Sequence, residues 1–126
     1  MILVVDDEAH VSEMLEEYFA DLGYAVQVAT TGGEALRRAM AERPDAVILD
    51  MRLPDTTGDQ LLAKFRALDS SLPIVMLSGN DDEDMAQQMV AAGARQYLQK
   101  PFDFNRLRQA IVAAVDAGRE QHCVAR

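Results

Sequence analysis

Five short apolar runs, each followed by an amphipathic segment, constrain this chain more than any other feature of it. The runs are Ile2-Val5, Ala25-Ala29, Ala46-Leu49, Ile74-Leu77 and Gln96-Leu98. Three of them are almost continuously apolar, as strands covered on both faces must be. Ala25-Val26-Gln27-Val28-Ala29 is mixed, which suits the edge of a sheet. Between the runs the period becomes helical. Val11, Met14, Leu15, Tyr18, Phe19 and Leu22 form one stripe, and Gly23 follows it as a residue free to end a helix in the left-handed conformation. Thr31-Gly32-Gly33-Glu34 and Thr57-Gly58-Asp59-Gln60 open the second and third helices as capping boxes. Met85, Ala86, Met89 and Val90 make a fourth helix closed by Gly93. Leu107, Ile111, Ala114 and Val115 make a fifth, with Asp103 placed to cap it.

Strand and helix alternating five times imply an α/β domain, a five-stranded parallel sheet with helices on both faces. Right-handed crossovers leave only a few doubly wound strand orders. The 126 residues suffice for one domain with its own core and not for two. We assign residues 1–118 to it and residues 119–126, with His122 and Cys123, to a polar tail. No apolar run is long enough for a membrane span, and no basic segment precedes the first one as in a signal peptide. A single cysteine allows no internal disulfide, so a reducing cytoplasmic setting is expected. A net charge of -9 repels a phosphate backbone, so direct contact with nucleic acid is not expected.

In doubly wound sheets function gathers at the carboxyl ends of the strands. Those ends carry Asp6 and Asp7, Asp50, Ser78 and Lys100. Each has an ordinary explanation alone, as a turn, helix-start or solvated residue; all five on one edge is another matter. Two carboxylates 4 Å apart repel by about 4 kcal/mol at an effective dielectric near 20, so they hold protons or a cation sits among them. Oxygen ligands without His or Cys favour Mg²⁺. Three carboxylates, one lysine and Mg²⁺ balance to neutral, leaving room for an incoming phosphoryl group with an aspartate as nucleophile.

These segments resemble response-regulator receiver domains of two-component signalling. Ile2-Leu3-Val4-Val5-Asp6-Asp7-Glu8 is similar to their opening. Ile48-Leu49-Asp50-Met51-Arg52-Leu53-Pro54-Asp55 with Gly58 is similar to their phosphorylation segment. Met76-Leu77-Ser78-Gly79 and Tyr97-Leu98-Gln99-Lys100-Pro101-Phe102 match their two later signatures. The resemblance implies the flavodoxin-like order 2-1-3-4-5 and a role for each matched position. Asp50 would accept the phosphoryl group, from a sensor histidine kinase, a phosphotransfer protein or a small phosphodonor. Asp6, Asp7, Asp50 and the main-chain carbonyl of Met51 would hold Mg²⁺. Lys100 and the Ser78 hydroxyl would meet the phosphoryl oxygens, and Gly79 would keep their approach open. Tyr97 would be the switch that turns inward when Ser78 moves, and the bond before Pro101 would be cis. Arg52 and Asn80, two residues past site positions, are expected to modulate the pocket.

The resemblance further implies a signalling domain, not an enzyme, which assists its own phosphorylation and dephosphorylation. It would present helix 4, strand 5 and helix 5 to a downstream effector domain or partner protein. Arg95-Gln96 stands where winged-helix regulators carry acids, which argues against their usual dimer. A Mg²⁺-dependent aspartyl-phosphate phosphatase of the haloacid-dehalogenase type is the alternative, but its second acid is replaced in Asp50-Met51-Arg52. A flavin binder of the same topology would need a Ser/Thr/Gly-rich phosphate loop where two acids stand.

Overall fold

In the computed structural model, backbone is described for residues 1–79 and 83–124, and side chains for 1–79 and 84–116. The strands are β1 (Ile2–Val5), β2 (Val26–Ala29), β3 (Ala46–Asp50), β4 (Ile74–Ser78) and β5 (Gln96–Gln99). The helices between and after them are α1 (Ala9–Asp21), α2 (Gly32–Ala41), α3 (Gly58–Leu68), α4 (Glu83–Ala91) and α5 (Phe104–Val124). All strand pairs are parallel, in the order β2-β1-β3-β4-β5. The mixed run is indeed an edge, and β1, β3 and β4 are buried throughout.

Side chains alternate across the sheet and divide the core in two. Ile2, Val4, Ile48, Val75 and Leu77 pack with Leu15 and Phe19 of α1 and Leu107, Ile111 and Ala114 of α5. Leu3, Val5, Leu49 and Met76 face Ala35 of α2, Leu61, Leu62 and Phe65 of α3, and Met89 of α4. The chain leaves β1 for β2 on one side and reaches β3 on the other. The direction of winding therefore reverses between β1 and β3, and a crevice opens above their carboxyl ends.

The helix boundaries show which local signals operate. Gly23 and Gly93 have φ of 96° and 114°, the left-handed ends expected after α1 and α4. Thr31 accepts from the Glu34 amide at 3.1 Å, whereas the Glu34 carboxylate reaches the amide of Thr30, not Thr31. The capping box expected at Thr57 does not form. The Thr57 side chain makes no capping bond, and Gln60 is instead engaged by the Thr56 hydroxyl at 3.0 Å. Here α3 starts against the end of β3, with the Gly58 amide donating to the Met51 carbonyl at 2.7 Å. Asp103 accepts from the Asn105 amide and so caps α5, which continues past residue 118 to Val124.

Candidate functional site

Backbone ladders carry the site residues to one rim. Beyond each strand the pairing runs on: Asp6 N donates to Ala29 O, Met51 N to Leu77 O and Lys100 N to Ser78 O. The last of these sets Lys100 beside the end of β4. The Lys100–Pro101 peptide bond is cis, as the resemblance implies. The turn that follows is anchored by Phe102 against Phe104, ring centroids 5.3 Å apart, and by Phe104 against Tyr18 of α1 at 4.7 Å.

The resulting cleft is lined by Asp7, Glu8, Asp50, Met51, Arg52, Ser78, Gly79 and Lys100. Asp6, at its base, is 1% exposed and Asp50 6%, while Asp7 opens to solvent. One carboxylate oxygen from each of these three acids lies within 4.8 Å of the others. The Lys100 ammonium stands among them, 3.2 Å from Asp6, 3.4 Å from Asp50 and 3.6 Å from Glu8. Asp6 also accepts from the Glu8 amide at 2.9 Å. Ser78 is buried, and among the described residues nothing lies within 4 Å of where a Cβ on Gly79 would be, which leaves that edge of the cleft open to them.

Crowding acids with one ammonium displaces their titration. Burial, then the charge of Asp6, pushes the Asp50 carboxyl from 3.8 up to about 6, against the pull of Lys100 and of the Arg52 amide. Burial draws the Lys100 ammonium down, but Asp50, Asp6 and Glu8 outweigh it and its pKa is raised. The donors fit a hard divalent cation: three carboxylates, no nitrogen or sulfur, and a net negative charge that Lys100 only partly offsets. The Met51 carbonyl, already accepting from Gly58, keeps a second lone pair for such an ion.

The other expected positions are distributed unevenly. Arg52 lines the cleft and is exposed; Asn80 lies outside the described residues. Tyr97 on β5 is half-buried against the core that α2, α3 and α4 cover. Its hydroxyl is already shielded from solvent and, among the described residues, has no hydrogen-bond partner. Two contributors were not foreseen. Glu8, part of the opening motif, is a third partner of Lys100; its place directly after Asp6-Asp7 was the available signal. Asp55 holds the loop between β3 and α3, and nothing local announces it.

Fold and rim together define a doubly wound α/β domain with an acidic, lysine-bridged cleft at the switch point of its sheet. Residues 2–112 match the response regulator receiver domain, and the chain belongs to that family. Sporulation initiation phosphotransferase F of Bacillus subtilis is 34% identical over 110 residues, which span 87% of this chain and 89% of that protein. Transcriptional regulatory protein PrrA of Mycobacterium tuberculosis is 40% identical over 101 residues, 80% of this chain but 43% of that protein. The chain thus spans less than half of one curated relative and most of another. Among solved structures, a response regulator receiver domain protein from Clostridium thermocellum superposes with a TM-score of 0.89 at 29% identity, covering 95% of this chain and 97% of its own. NtrX from Brucella abortus gives 0.90 at 28%, over 98% of this chain and 28% of that one. The chain is a receiver domain of the two-component response-regulator type, and the phosphatase alternative gives way to that match.

Proposed function

We propose that Asp50 is the phosphoacceptor of this domain. The observation that carries the reading is the Lys100 ammonium set between Asp6 and Asp50 at the end of β3. An Asp50 carboxylate oxygen attacks phosphorus, the donor's bond to phosphorus breaks, and an acyl phosphate forms on Asp50. Phosphohistidine of a sensor kinase or phosphotransfer protein is the expected donor, with acetyl phosphate as a small substitute. Lys100 exchanges a carboxylate partner for phosphoryl oxygens, the Ser78 hydroxyl donates to one of them, and Gly79 leaves them room. Asp6, Asp7, Asp50 and the Met51 carbonyl would hold Mg²⁺, which when bound neutralises charge developing on the transferred group.

The domain acts as a switch, not an enzyme; its own residues assist loading and loss of the phosphate. Arg52 has no lone pair to activate water, so it crowds the water's approach to the acyl phosphate. Because Asp50 already carries a charge, the signal is geometric: Ser78 and Lys100 move toward the phosphate and Tyr97 repacks. The α4, β5 and α5 face then engages an effector domain or partner protein. Absence of an apolar spanning helix among the described residues, with one cysteine, accords with work in the cytoplasm.

Intact mass after acetyl phosphate and Mg²⁺ tests the acceptor. One phosphate adduct is expected in the parent and none in Asp50→Asn; equal adducts in both would end the assignment. A separate expectation concerns the metal. Mg²⁺ at about 100 times its dissociation constant should stabilise the fold by about 2.7 kcal/mol. Asp7→Ala should lose most of that gain in thermal melts, and an undiminished response would remove Asp7 from the site.

A further inference from the structure

We infer that Asp55, through a carboxylate clamp on the start of α2, positions the β3–α3 loop and with it the metal-binding end of the cleft. The inference rests on the phosphoacceptor reading and extends it to a residue outside the cleft. The loop from Met51 to Thr57 supplies the Met51 carbonyl and the Arg52 side chain. Internally it is closed by the Arg52–Thr57 bridge and by Leu53 N donating to Thr56 O at 3.2 Å. At its tip Asp55 reaches across to another helix. One carboxylate oxygen accepts from the Gly32 amide at 2.8 Å and the other from the Gly33 amide at 3.1 Å.

Both oxygens are thus committed to main-chain donors at the positive end of α2, an arrangement that favours the charged carboxylate. Those two amides together hold the Asp55 carboxyl below its ordinary range. The α2 side is shaped to receive the loop. A Cβ at Gly32 would fall 2.5 Å from the Thr56 methyl, so the close approach requires glycine there. Sequence separations of 22 and 23 residues make this a tertiary tie, not a local turn.

The tie bears on the cleft because the loop has little room to give. Met51 is fixed on one side by Leu77 O and on the other by the Gly58 amide, and the Arg52 amide donates to the Asp50 carboxylate. A shift of the loop tip therefore strains these bonds, and with them the setting of the Met51 carbonyl and the Arg52 side chain beside Asp50. Asp55 touches none of the reacting groups; it is a positioning residue.

The test compares the parent, Asp55→Ala, Asp55→Asn and Gly32→Ala by three measurements. In metal-free protein, amide exchange at Gly32 and Gly33 should quicken about tenfold in Asp55→Ala. In a Mg²⁺ titration followed by backbone amide shifts, the half-saturating concentration should rise about tenfold, the low end for losing a partner behind metal ligands. The acetyl-phosphate loading rate should fall at low Mg²⁺ and recover at saturating Mg²⁺, a split that a general loss of stability would not produce. Asp55→Asn, which keeps one acceptor, should fall between. Gly32→Ala, which pushes the loop from the other side with Asp55 intact, should shift the titration the same way. Unchanged exchange would mean that the clamp does not exist in solution. Faster exchange with an unmoved Mg²⁺ titration would make it a structural tie only; either result overturns the inference. If the parent takes no phosphate, the acceptor reading fails on its own, and the Mg²⁺ titration still decides the part played by Asp55.

Discussion

Gly58→Ala should be among the most damaging single-methyl additions to this domain. Gly58 begins α3 against the last residue of β3 and the one after it. A Cβ there would lie 2.7 Å from the Met51 Cα, 2.9 Å from the Asp50 carbonyl oxygen and 2.9 Å from the Met51 sulfur. The sulfur can swing away, but the two main-chain atoms belong to the strand end that presents Asp50. Relief therefore requires α3 to retreat, which breaks the 2.7 Å bond from the Gly58 amide to the Met51 carbonyl and loosens Leu61, Leu62 and Phe65 in the core. Overpacking of this kind costs about 3 kcal/mol. For a domain of this size, that lowers the thermal midpoint by roughly 10 °C. The Mg²⁺-induced rise in midpoint should shrink as well, because Met51 and Asp50 move. A loss below about 1 kcal/mol in thermal melts would mean that the helix start shifts freely, and the role given to Gly58 would have to be withdrawn.

The fold was legible because its signals are local and repeated. The runs at Ile2-Val5 and Ile74-Leu77 read as strands from apolar continuity alone, and the edge position of β2 followed from Gln27 in its middle. Strand ends were legible only to within a residue, because pairing does not stop where apolar character does. Asp50 and Ser78 are polar yet lie within β3 and β4, and the Ala25 carbonyl pairs with Ile2 before β2 begins. The convergence of Asp6, Asp50 and Lys100 was legible once the sheet was, since the carboxyl ends of parallel strands must share an edge.

What escaped depends on contacts between distant segments. Thr57 has the residues of a capping box, but the β3 end occupies the start of α3 and Gln60 turns to Thr56. Asp55 reads as an ordinary turn residue until α2 is seen to lie beside it. Arg66 of α3 likewise grips the Gly93 carbonyl after α4, through nitrogens at 3.0 and 2.7 Å, a tie with no sequence signature. Propensity and periodicity describe a segment against water. These residues are defined by another segment.

Asp50→Asn is expected to make the metal-free domain more stable at neutral pH while removing the proposed acceptor. The folded state holds the Asp50 carboxyl near 6, above its ordinary 3.8, chiefly because burial strips it of water and Asp6 lies alongside. A carboxyl raised by folding binds its proton more tightly in the native state than in the unfolded chain. It therefore costs nothing at about pH 3 and below, where both states are protonated, and costs progressively more as pH rises to about 6. Above that the cost levels off at on the order of 2 to 3 kcal/mol, the free energy of a shift of about two pKa units. Asparagine keeps the shape, carries no charge to desolvate, and leaves Lys100 paired with Asp6 and Glu8. In thermal melts without metal the variant should match the parent near about pH 3 and exceed it near about pH 7.5. Saturating Mg²⁺ should reverse the order at the higher pH, because the parent then gains a carboxylate ligand that asparagine cannot match. Equal stability of parent and variant at neutral pH, metal-free, would show that Lys100 fully neutralises Asp50. The charge left to draw a cation in would then be that of the other acids around the cleft, Asp6, Asp7 and Glu8.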